Sequence, residues 1–190
     1  MKRLIVASTN AGKIREVSLA LFDLSDWNVE SLPEIPEIEE TGTTFMENAT
    51  LKAAHYSRFV ADLTLADDSG LCVSALDGRP GLHSARYAPT AEERNSRLLA
   101  ELREQGADRS AAFYCAFAVA RHGHIVWTVQ TELPGRIAEA PAGDFGFGYD
   151  PIFVVPEHGK TLAQMFPEEK NQVSARGKAL LALRSFLLSQ

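Results

Sequence analysis

Two adjacent aspartates, Asp67 and Asp68, end an apolar run that begins at Phe59. A buried carboxylate is destabilised unless a cation or a hydrogen-bond network replaces water, so the pair indicates either chemistry or a turn capped by its own side chains. Successive side chains of a strand point to opposite faces, and only one aspartate is expected to face a site. We assign that role to Asp68, because Ser69 and Gly70 are expected to turn the chain there and to let backbone approach a ligand.

A second polar stretch joins a short β-branched strand, Arg3 to Ala7, to a segment with apolar residues at helical spacing. The stretch consists of Ser8, Thr9, Asn10, Ala11, Gly12 and Lys13. Backbone N–H groups and Lys13 at a helix N-terminus form an anion site, although an ordinary capped helix start has the same pattern. It is not a Walker A loop, because Ile14 follows Lys13 where that motif has Ser or Thr.

Further charged candidates lie before and on a predicted helix. A threonine caps the start of that helix with Glu47 as its partner, and the helix runs to about Arg58. Glu47 therefore has a structural role. Glu40, just before a glycine turn, has none and is the better candidate for contact with a metal or water. Lys52 lies one helical turn after Asn48 and is expected to point its charge at the Glu40 loop.

A glycine-rich loop, 143–151, alternates glycines with aromatic residues. Its backbone is able to come close to a flat ligand, while Phe147 or Tyr149 supplies a stacking surface. The loop is a poor dinucleotide fingerprint because the third glycine is absent. Later in the chain, Lys170 and Arg176 place positive charge near one end of a predicted terminal helix.

The remaining segments alternate between strand and helix patterns. We predict a second strand at 28–32, followed by an extended acidic segment at 33–37. A charged, solvated helix is predicted at 91–105, ended by Gly106, and two long strands at 111–120 and 125–133 are predicted to form a hairpin. A final strand at 152–155 and one terminal helix from Pro167 complete the prediction. The hairpin turn contains His122 and His124, which we interpret as an exposed turn and not as a metal site, because no third ligand is near in sequence.

Composition restricts the class of protein. The 190 residues are 45% hydrophobic and 23% charged, which is typical of a soluble globular protein and predicts one continuous α/β domain, 1–190. The chain has 25 acidic and 19 basic residues. This balance disfavours a protein that coats nucleic acid or a membrane surface, and an anionic ligand therefore needs local Lys, Arg or metal.

Location follows from the apolar runs and the cysteines. No apolar run approaches the ~20 residues of a membrane span, and the stretch from Met1 to Val6 turns polar too soon for a signal peptide. We therefore expect a cytoplasmic protein. Cys72 and Cys115 lie in apolar strand-like runs, and reduced core thiols are favoured over a disulfide or a metal pair.

Five ordered motifs together resemble the inosine triphosphatase family, and they cover nearly the whole chain. The first is Ser8-Thr9-Asn10 with Lys13, and the second is Glu40-Thr41-Gly42 together with Phe45, Glu47-Asn48-Ala49 and Lys52-Ala53. The third is Ala66 to Leu71, the fourth is Pro80-Gly81 with Ser84-Ala85-Arg86-Tyr87, and the fifth is Phe147 to Pro151. The resemblance implies an α/β fold whose mixed central sheet divides two lobes around a nucleotide-binding cleft. It also implies a homodimer and a Mg²⁺-dependent hydrolysis of ITP, dITP and XTP to the monophosphate plus pyrophosphate.

Site roles follow from the same resemblance, motif by motif. Glu40 and Asp68 are implied to hold Mg²⁺, and Asp68 to accept a proton from the attacking water. The first loop, from Ser8 to Lys13, is implied to bind the triphosphate. The other implied substrate-binding residues are Lys52, Ser69, Phe147, Gly148, Tyr149, Asp150, Lys170, Ala175 and Arg176.

One position departs from the family pattern. The family usually has Ser-His-Arg before the closing helix, and this chain has Ser174, Ala175 and Arg176. Ala175 removes a side-chain donor to the base. Two alternatives to a purine pyrophosphatase are a pyrophosphatase for modified pyrimidine triphosphates and a nucleotide-binding regulator without catalysis.

Overall fold

The computed structural model describes residues 1–32, 38–105 and 108–190. The strands are β1 (Lys2–Val6), β2 (Trp27–Ser31), β3 (Leu63–Val73), β4 (Ser110–Arg121), β5 (His124–Ile137), β6 (Phe153–Val155) and β7 (Lys160–Thr161). The α-helices are α1 (Ala11–Leu21), α2 (Phe45–Tyr56), α3 (Ala91–Gln105), α4 (Pro167–Val173) and α5 (Ala175–Leu188). The predicted extended segment 33–37 and the predicted helix end at Gly106 lie outside the described residues.

The strands form one mixed sheet in the order β2-β1-β3-β4-β5-β6-β7. β1 is parallel to both of its neighbours, with Leu4 opposite Val29 of β2 and Leu63 of β3. β6 is antiparallel to β5 and to β7. Leu4 is fully buried, as expected of a strand with partners on both sides. The predicted α/β class with a mixed central sheet is confirmed.

The predicted hairpin is present and is longer than its sequence pattern. β4 and β5 are joined by His122 (φ 52°) and Gly123 (φ 84°), and two successive positive φ values are typical of the type I′ turn that matches the twist of antiparallel strands. His122 and His124 are exposed, which confirms the exposed turn. Among the described residues, no group of three His, Cys, Asp or Glu side chains is placed to hold a metal ion.

The expected chain turn at Ser69 and Gly70 is wrong. β3 continues from Leu63 through both residues to Val73. The pairing with β1 ends at Leu65, and β3 continues beyond it as the neighbour of β4 in the sheet. Pairing within the sheet there outweighs the local turn preference of a Ser-Gly pair.

The single terminal helix is also wrong, because the chain forms α4 and α5 with a break at Ser174. Ser174 has an extended backbone (φ −64°, ψ 153°), and its Oγ accepts a hydrogen bond from Gly177 N at 3.0 Å. A serine in this conformation caps the helix that follows it.

The prediction that β6 is the final strand is wrong, because the two-residue strand β7 follows it.

The described chain divides into two compact units. The first unit comprises 1–68, 115–131 and 179–190, and the second comprises 69–114 and 132–178. Phe117 is fully buried in the first, and Phe153 is fully buried in the second. The single domain 1–190 stays a prediction.

Cys72 and Cys115 are both free thiols. Cys115 is buried, as expected of a core thiol, whereas Cys72 is only half-buried. None of the described helices has the length and apolar character needed to cross a bilayer.

Candidate functional site

The helix α2 positions the polar side chains of the first unit. Thr44 and Glu47 form a capping box at its start, which confirms the structural role of Glu47. Its inner face is built from small residues, and Ala49 and Ala53 are fully buried in a cluster that includes Ala66 of β3. Small side chains let a helix lie close to a sheet, and the polar residues on the same helix then reach the strand.

Lys52 joins two carboxylates that are far apart in sequence. Its Nζ lies 2.7 Å from Glu40 Oε1 and 3.2 Å from Asp68 Oδ1. The three side chains are 13%, 20% and 11% exposed. The predicted direction of Lys52 towards the Glu40 loop is confirmed, and the structure brings Glu40 and Asp68 to one ammonium group.

The pKa of Asp68 is raised above its ordinary value. Burial is the main cause and the negative charge of Glu40 adds to it, while Lys52 and Lys13 act in the opposite direction. The pKa of Lys52 is raised as well: burial opposes its charge, but the attraction of Asp68, Asp67 and Glu40 outweighs burial. A carboxylate with increased proton affinity is suited to accept a proton from water.

Asn48 connects the loop at Gly42 to Asp68 through the two ends of its side-chain amide. Its Oδ1 accepts from Gly42 N at 2.8 Å, and its Nδ2 donates to Asp68 Oδ2 at 3.2 Å. Asn48 is 2% exposed. A Cβ at Gly42 would lie 2.6 Å from Asn48 Oδ1, so only glycine allows this approach. The sequence placed Asn48 beside Lys52 on the helix but did not identify it as a site residue.

The stretch from Ser8 to Lys13 opens α1, as predicted. Asn10 is the N-cap, and its Oδ1 accepts from Lys13 N at 3.1 Å. Lys13 Nζ forms an ion pair with Asp67 Oδ2 at 2.9 Å. The adjacent aspartates Asp67 and Asp68 thus form ion pairs with different lysines, although the charge of Asp67 also raises the pKa of Lys52.

The donor set around Asp68 fits a hard divalent cation. Mg²⁺ prefers oxygen ligands and is commonly bound through one or two carboxylates, with substrate phosphates and water completing its coordination. Glu40 and Asp68 supply two such carboxylates at one place. A set of three protein ligands is absent among the described residues, and this kind of site does not need one.

In the second unit, a buried ion pair forms beside the glycine-rich loop. Lys170 Nζ lies 2.8 Å from Asp150 Oδ2, and the two side chains are 8% and 6% exposed. Asp150 Oδ2 also accepts from Phe147 N at 2.8 Å. Lys170 Nζ lies 4.8 Å from the centre of the Phe147 ring, and the Arg176 guanidinium lies 5.6 Å from it. Two cations therefore lie near the half-buried ring of Phe147.

Arg176 also connects the start of α5 to β3 within the second unit. Its Nη2 donates to Ser69 Oγ at 2.8 Å. Ala175, the first residue of α5, is 3% exposed. The structure therefore gathers Ser69, Phe147 and Arg176 from three separate segments.

Tyr149 and Gly148 have a different environment from Phe147. The Tyr149 ring is 4% exposed and its OH donates to Ser84 O at 2.9 Å. Gly148 has a φ of 65°, and its carbonyl accepts from Asn95 Nδ2 at 3.2 Å. Of the two aromatic residues that were candidates for stacking, Phe147 is the more accessible. Sequence patterns gave no signal for Asn95, because its contact depends on the tertiary fold.

Comparisons with known proteins extend these observations to the whole chain. A protein of Geobacillus kaustophilus named dITP/XTP pyrophosphatase is 51% identical over 195 residues, covering 96% of this chain and 93% of the relative. The solved HAM1 protein of Coxiella burnetii has a TM-score of 0.89 and 40% identity, with 100% of each chain covered. The solved Ham1 protein of Staphylococcus aureus has a TM-score of 0.86 and 38% identity, with 99% of each chain covered. The model of the Ham1 family matches residues 4–186. The chain therefore belongs to the Ham1 family, which confirms the resemblance found in its sequence.

Proposed function

We propose that this protein hydrolyses non-standard purine nucleoside triphosphates, ITP, dITP and XTP, to the nucleoside monophosphate plus pyrophosphate. The observation that carries the proposal is the group formed by Glu40, Lys52 and Asp68. Hydrolysis of a phosphoric anhydride needs an aligned water, a proton acceptor and neutralisation of phosphate charge. The relative from Geobacillus kaustophilus, named dITP/XTP pyrophosphatase, supports the same activity.

Within this proposal, Asp68 is the proton acceptor and Glu40 and Asp68 hold Mg²⁺. When bound, Mg²⁺ supplies positive charge that neutralises phosphate oxygens. Asp68 takes a proton from the attacking water, and its place beside Glu40 and Lys52 supports that role. The water oxygen bonds to the α phosphorus, the bond from that phosphorus to the oxygen bridging the α and β phosphates breaks, and pyrophosphate leaves. Asn48 holds the orientation of Asp68 through the hydrogen bond to Oδ2.

The phosphate-binding part of the proposal uses the start of α1. The backbone N–H groups of Ala11 and Gly12 lie in the first turn of that helix, and a helix N-terminus attracts anions. Lys13 supplies a charged side chain, with Asp67 as its ion-pair partner in this structure. We assign Ser8, Thr9 and Asn10 to the same role.

The base-binding part uses residues of the second unit. Phe147 presents a half-buried ring held by Lys170 and Arg176. Ser69, Gly148, Tyr149 and Asp150 complete the proposed set. Ala175 supplies no side-chain donor, so backbone N–H groups are left to read the 6-oxo group of the purine. The 6-amino group of adenine would leave such a donor unpaired, a mismatch that costs about 1–3 kcal/mol for each buried group.

The decisive experiment identifies the products. The protein is incubated with Mg²⁺ and, separately, with ITP, XTP, GTP and ATP, and pyrophosphate and orthophosphate are quantified. We expect pyrophosphate, released faster from ITP and XTP than from GTP and ATP. Release of orthophosphate would refute the proposal.

Two other outcomes would identify the alternatives. Preferential cleavage of modified UTP or dTTP in competition with ITP would indicate a pyrimidine enzyme. Tight binding of ITP in calorimetry, with no product after hours, would indicate a nucleotide-binding regulator, an alternative that Ala175 motivates. The Ala175→His variant, assayed in parallel on ITP, measures what the missing donor contributes to recognition.

Further parts of the proposal concern the whole chain. Residues 1–190 act as one inosine triphosphatase-like domain with a nucleotide-binding cleft, the active form is a homodimer, and the protein works in the cytoplasm. The family match over residues 4–186 supports the first of these. The homodimer and the cleft rest on the family resemblance, and the cytoplasmic location rests on the composition of the chain.

A further inference from the structure

An asparagine on the charged helix α3 contacts the glycine-rich loop. Asn95 is 6% exposed, although most of its neighbours in sequence are exposed. Its Nδ2 donates to Gly148 O at 3.2 Å. Its Oδ1 is buried and has no hydrogen-bond partner in the part of the chain that the structure describes.

The orientation of this amide follows from the chemistry of its partner. A backbone carbonyl only accepts, so the NH₂ group of Asn95 must be the end that faces Gly148. A buried acceptor without a partner is unfavourable, and an apolar side chain of similar shape would avoid that penalty. The packing of α3 alone therefore does not account for an asparagine at this position.

The loop that Asn95 contacts is anchored at the next residue as well. Tyr149 OH donates to Ser84 O, and Ser84 Oγ in turn accepts from Leu71 N at 2.9 Å. Gly148 has a φ of 65°. Glycine adopts this conformation as readily as several others, so contacts from outside the loop are needed to select it. The two anchors fix the backbone between Phe147 and Asp150, the residues that carry the aromatic ring and the buried carboxylate.

We propose that Asn95 is a positioning residue for base recognition, acting through the Gly148 carbonyl on the conformation of residues 147–150. This inference rests on the proposed function, since it assumes that the loop binds the purine base. The hydrogen bond of Asn95 goes to the loop that is proposed to bind the base, and the proposed proton acceptor, Asp68, lies on a different segment. The loss of Asn95 should therefore weaken substrate binding and leave the chemical step nearly unchanged.

The first test is Asn95→Asp, which keeps the shape of the side chain and replaces the donor by an acceptor. The matched control is Ser96→Asp, which adds the same charge at the adjacent, exposed position. For Asn95→Asp we expect KM for ITP to rise about 10-fold, the effect of one lost buried hydrogen bond, with kcat changed by less than about 3-fold. Ser96→Asp should match the parent protein in both constants.

A second variant covers the case in which Asn95→Asp does not fold. Asn95→Leu removes the donor and the unpartnered oxygen together, so its melting temperature should stay near that of the parent protein. Its KM should rise as for Asn95→Asp. Hydrogen exchange without substrate should become faster in the peptide that spans 145–152 and stay unchanged in α3.

The results separate this inference from the function on which it rests. A parent protein that releases no pyrophosphate from ITP refutes the function, and the hydrogen exchange of the loop then still reports whether Asn95 anchors it. An active parent protein with the same KM in Asn95→Leu overturns the positioning role. A fall in kcat without a rise in KM overturns it as well.

Discussion

The charge on Asp68 is balanced by a lysine that Asp68 shares with Glu40. Lys52 lies within 3.2 Å of both carboxylates, so one positive charge faces two negative charges in a largely buried place. Such an arrangement keeps the proton affinity of Asp68 high and leaves net negative charge for a further cation. Two variants test these two consequences separately.

Asp68→Asn removes the proton acceptor and one charge while it keeps the size of the side chain. We expect turnover of ITP to fall about 10²–10⁴-fold, the usual loss for a general base. Steady-state assays at saturating Mg²⁺ measure it. Asp67→Asn is the matched control, because Asp67 pairs with Lys13 instead; it should raise KM more than it lowers kcat. Unchanged turnover in Asp68→Asn would remove Asp68 from its role.

Lys52→Met removes the shared cation and leaves Glu40 and Asp68 facing each other. Breaking a buried ion pair by removing one partner costs about 3–5 kcal/mol of folding stability, and a divalent cation bound by the two carboxylates restores part of it. We expect Mg²⁺ to raise the melting temperature of Lys52→Met more than that of the parent protein. Lys178→Met, at an exposed lysine, should respond to Mg²⁺ as the parent protein does. An equal response in Lys52→Met would contradict a cation site there.

The sequence predicted part of this group because helical spacing is a local rule. The four-residue spacing of Asn48 and Lys52 predicted that Lys52 points towards the Glu40 loop. Alternation along a strand predicted that Asp67 and Asp68 point in different directions. The hydrogen bond from Gly42 N to Asn48 was not predictable. It depends on how a loop folds back over a helix start, and no periodic pattern encodes that.

Helix α3 has a buried edge that its charged sequence did not predict. Its Leu98 and Leu102 are buried, and Glu101 accepts a hydrogen bond from Tyr87 OH at 2.6 Å. Burial and the Glu101 carboxylate raise the pKa of Tyr87 to about 12. Arg97 lies 4.1 Å from the centre of the Tyr87 ring. The fold therefore favours the neutral phenol.

A pH dependence follows from this pKa. The unfolded tyrosine titrates near pH 10, so the stabilisation from Tyr87 is present below about pH 10 and is lost as the pH rises towards about 12. Tyr87→Phe has no phenol to ionise, and its free energy of unfolding should decrease less over that range. Chemical denaturation at a series of pH values compares the two proteins. Equal slopes would show that the phenol of Tyr87 ionises as easily in the fold as in the unfolded chain.

Ser174 divides the terminal segment into two helices, and its side chain caps the second. Ser174→Ala removes the acceptor for Gly177 N, which should lower the free energy of unfolding by about 1 kcal/mol. For a chain of this size the melting temperature then falls by about 2–4 °C. Ser185→Ala, on the exposed side of the same helix, removes a serine without removing a cap and should change stability less.

Elements with a clear hydrophobic period were predicted from the sequence. Elements whose bounds are set by contacts with other segments were not. The hairpin from β4 to β5 and the helix α2 follow from alternation, helical spacing and capping residues. The continuation of β3 through Ser69, beyond the end of its pairing with β1 at Leu65, required knowledge of the neighbouring strand β4. The break at Ser174 comes from a local serine cap in a segment whose apolar spacing continues across it. The short β7 depends on its pairing with β6.

For the protein as a whole, we expect a homodimer in solution. Sedimentation velocity should give twice the chain mass of 20.8 kDa at micromolar concentration. This expectation comes from the family resemblance implied by the motifs. A single species at the mass of one chain, active on ITP at the same concentration, would contradict it.

Composition and motif order predicted the α/β class of the whole molecule correctly, because alternating strand and helix patterns are visible along the entire chain. The family resemblance implied two lobes, but the segments that make up each of the two units were not visible in the sequence. Each unit is assembled from segments that are distant in sequence, 1–68 with 115–131 and 179–190 in one case, and 69–114 with 132–178 in the other. Sequence patterns report neighbours along the chain, and this division depends on contacts between distant segments.

The interleaving of the two units has a consequence for biosynthesis. A ribosome delivers residues in order, and domains of many proteins fold from the N-terminus while synthesis continues. Here the unit that contains the first residues also includes 179–190, with Leu183 and Leu187 in its core. That unit is complete only after residues 179–190 have been synthesised, so a premature stop before residue 179 should yield a product that the cell degrades and not a shorter working protein.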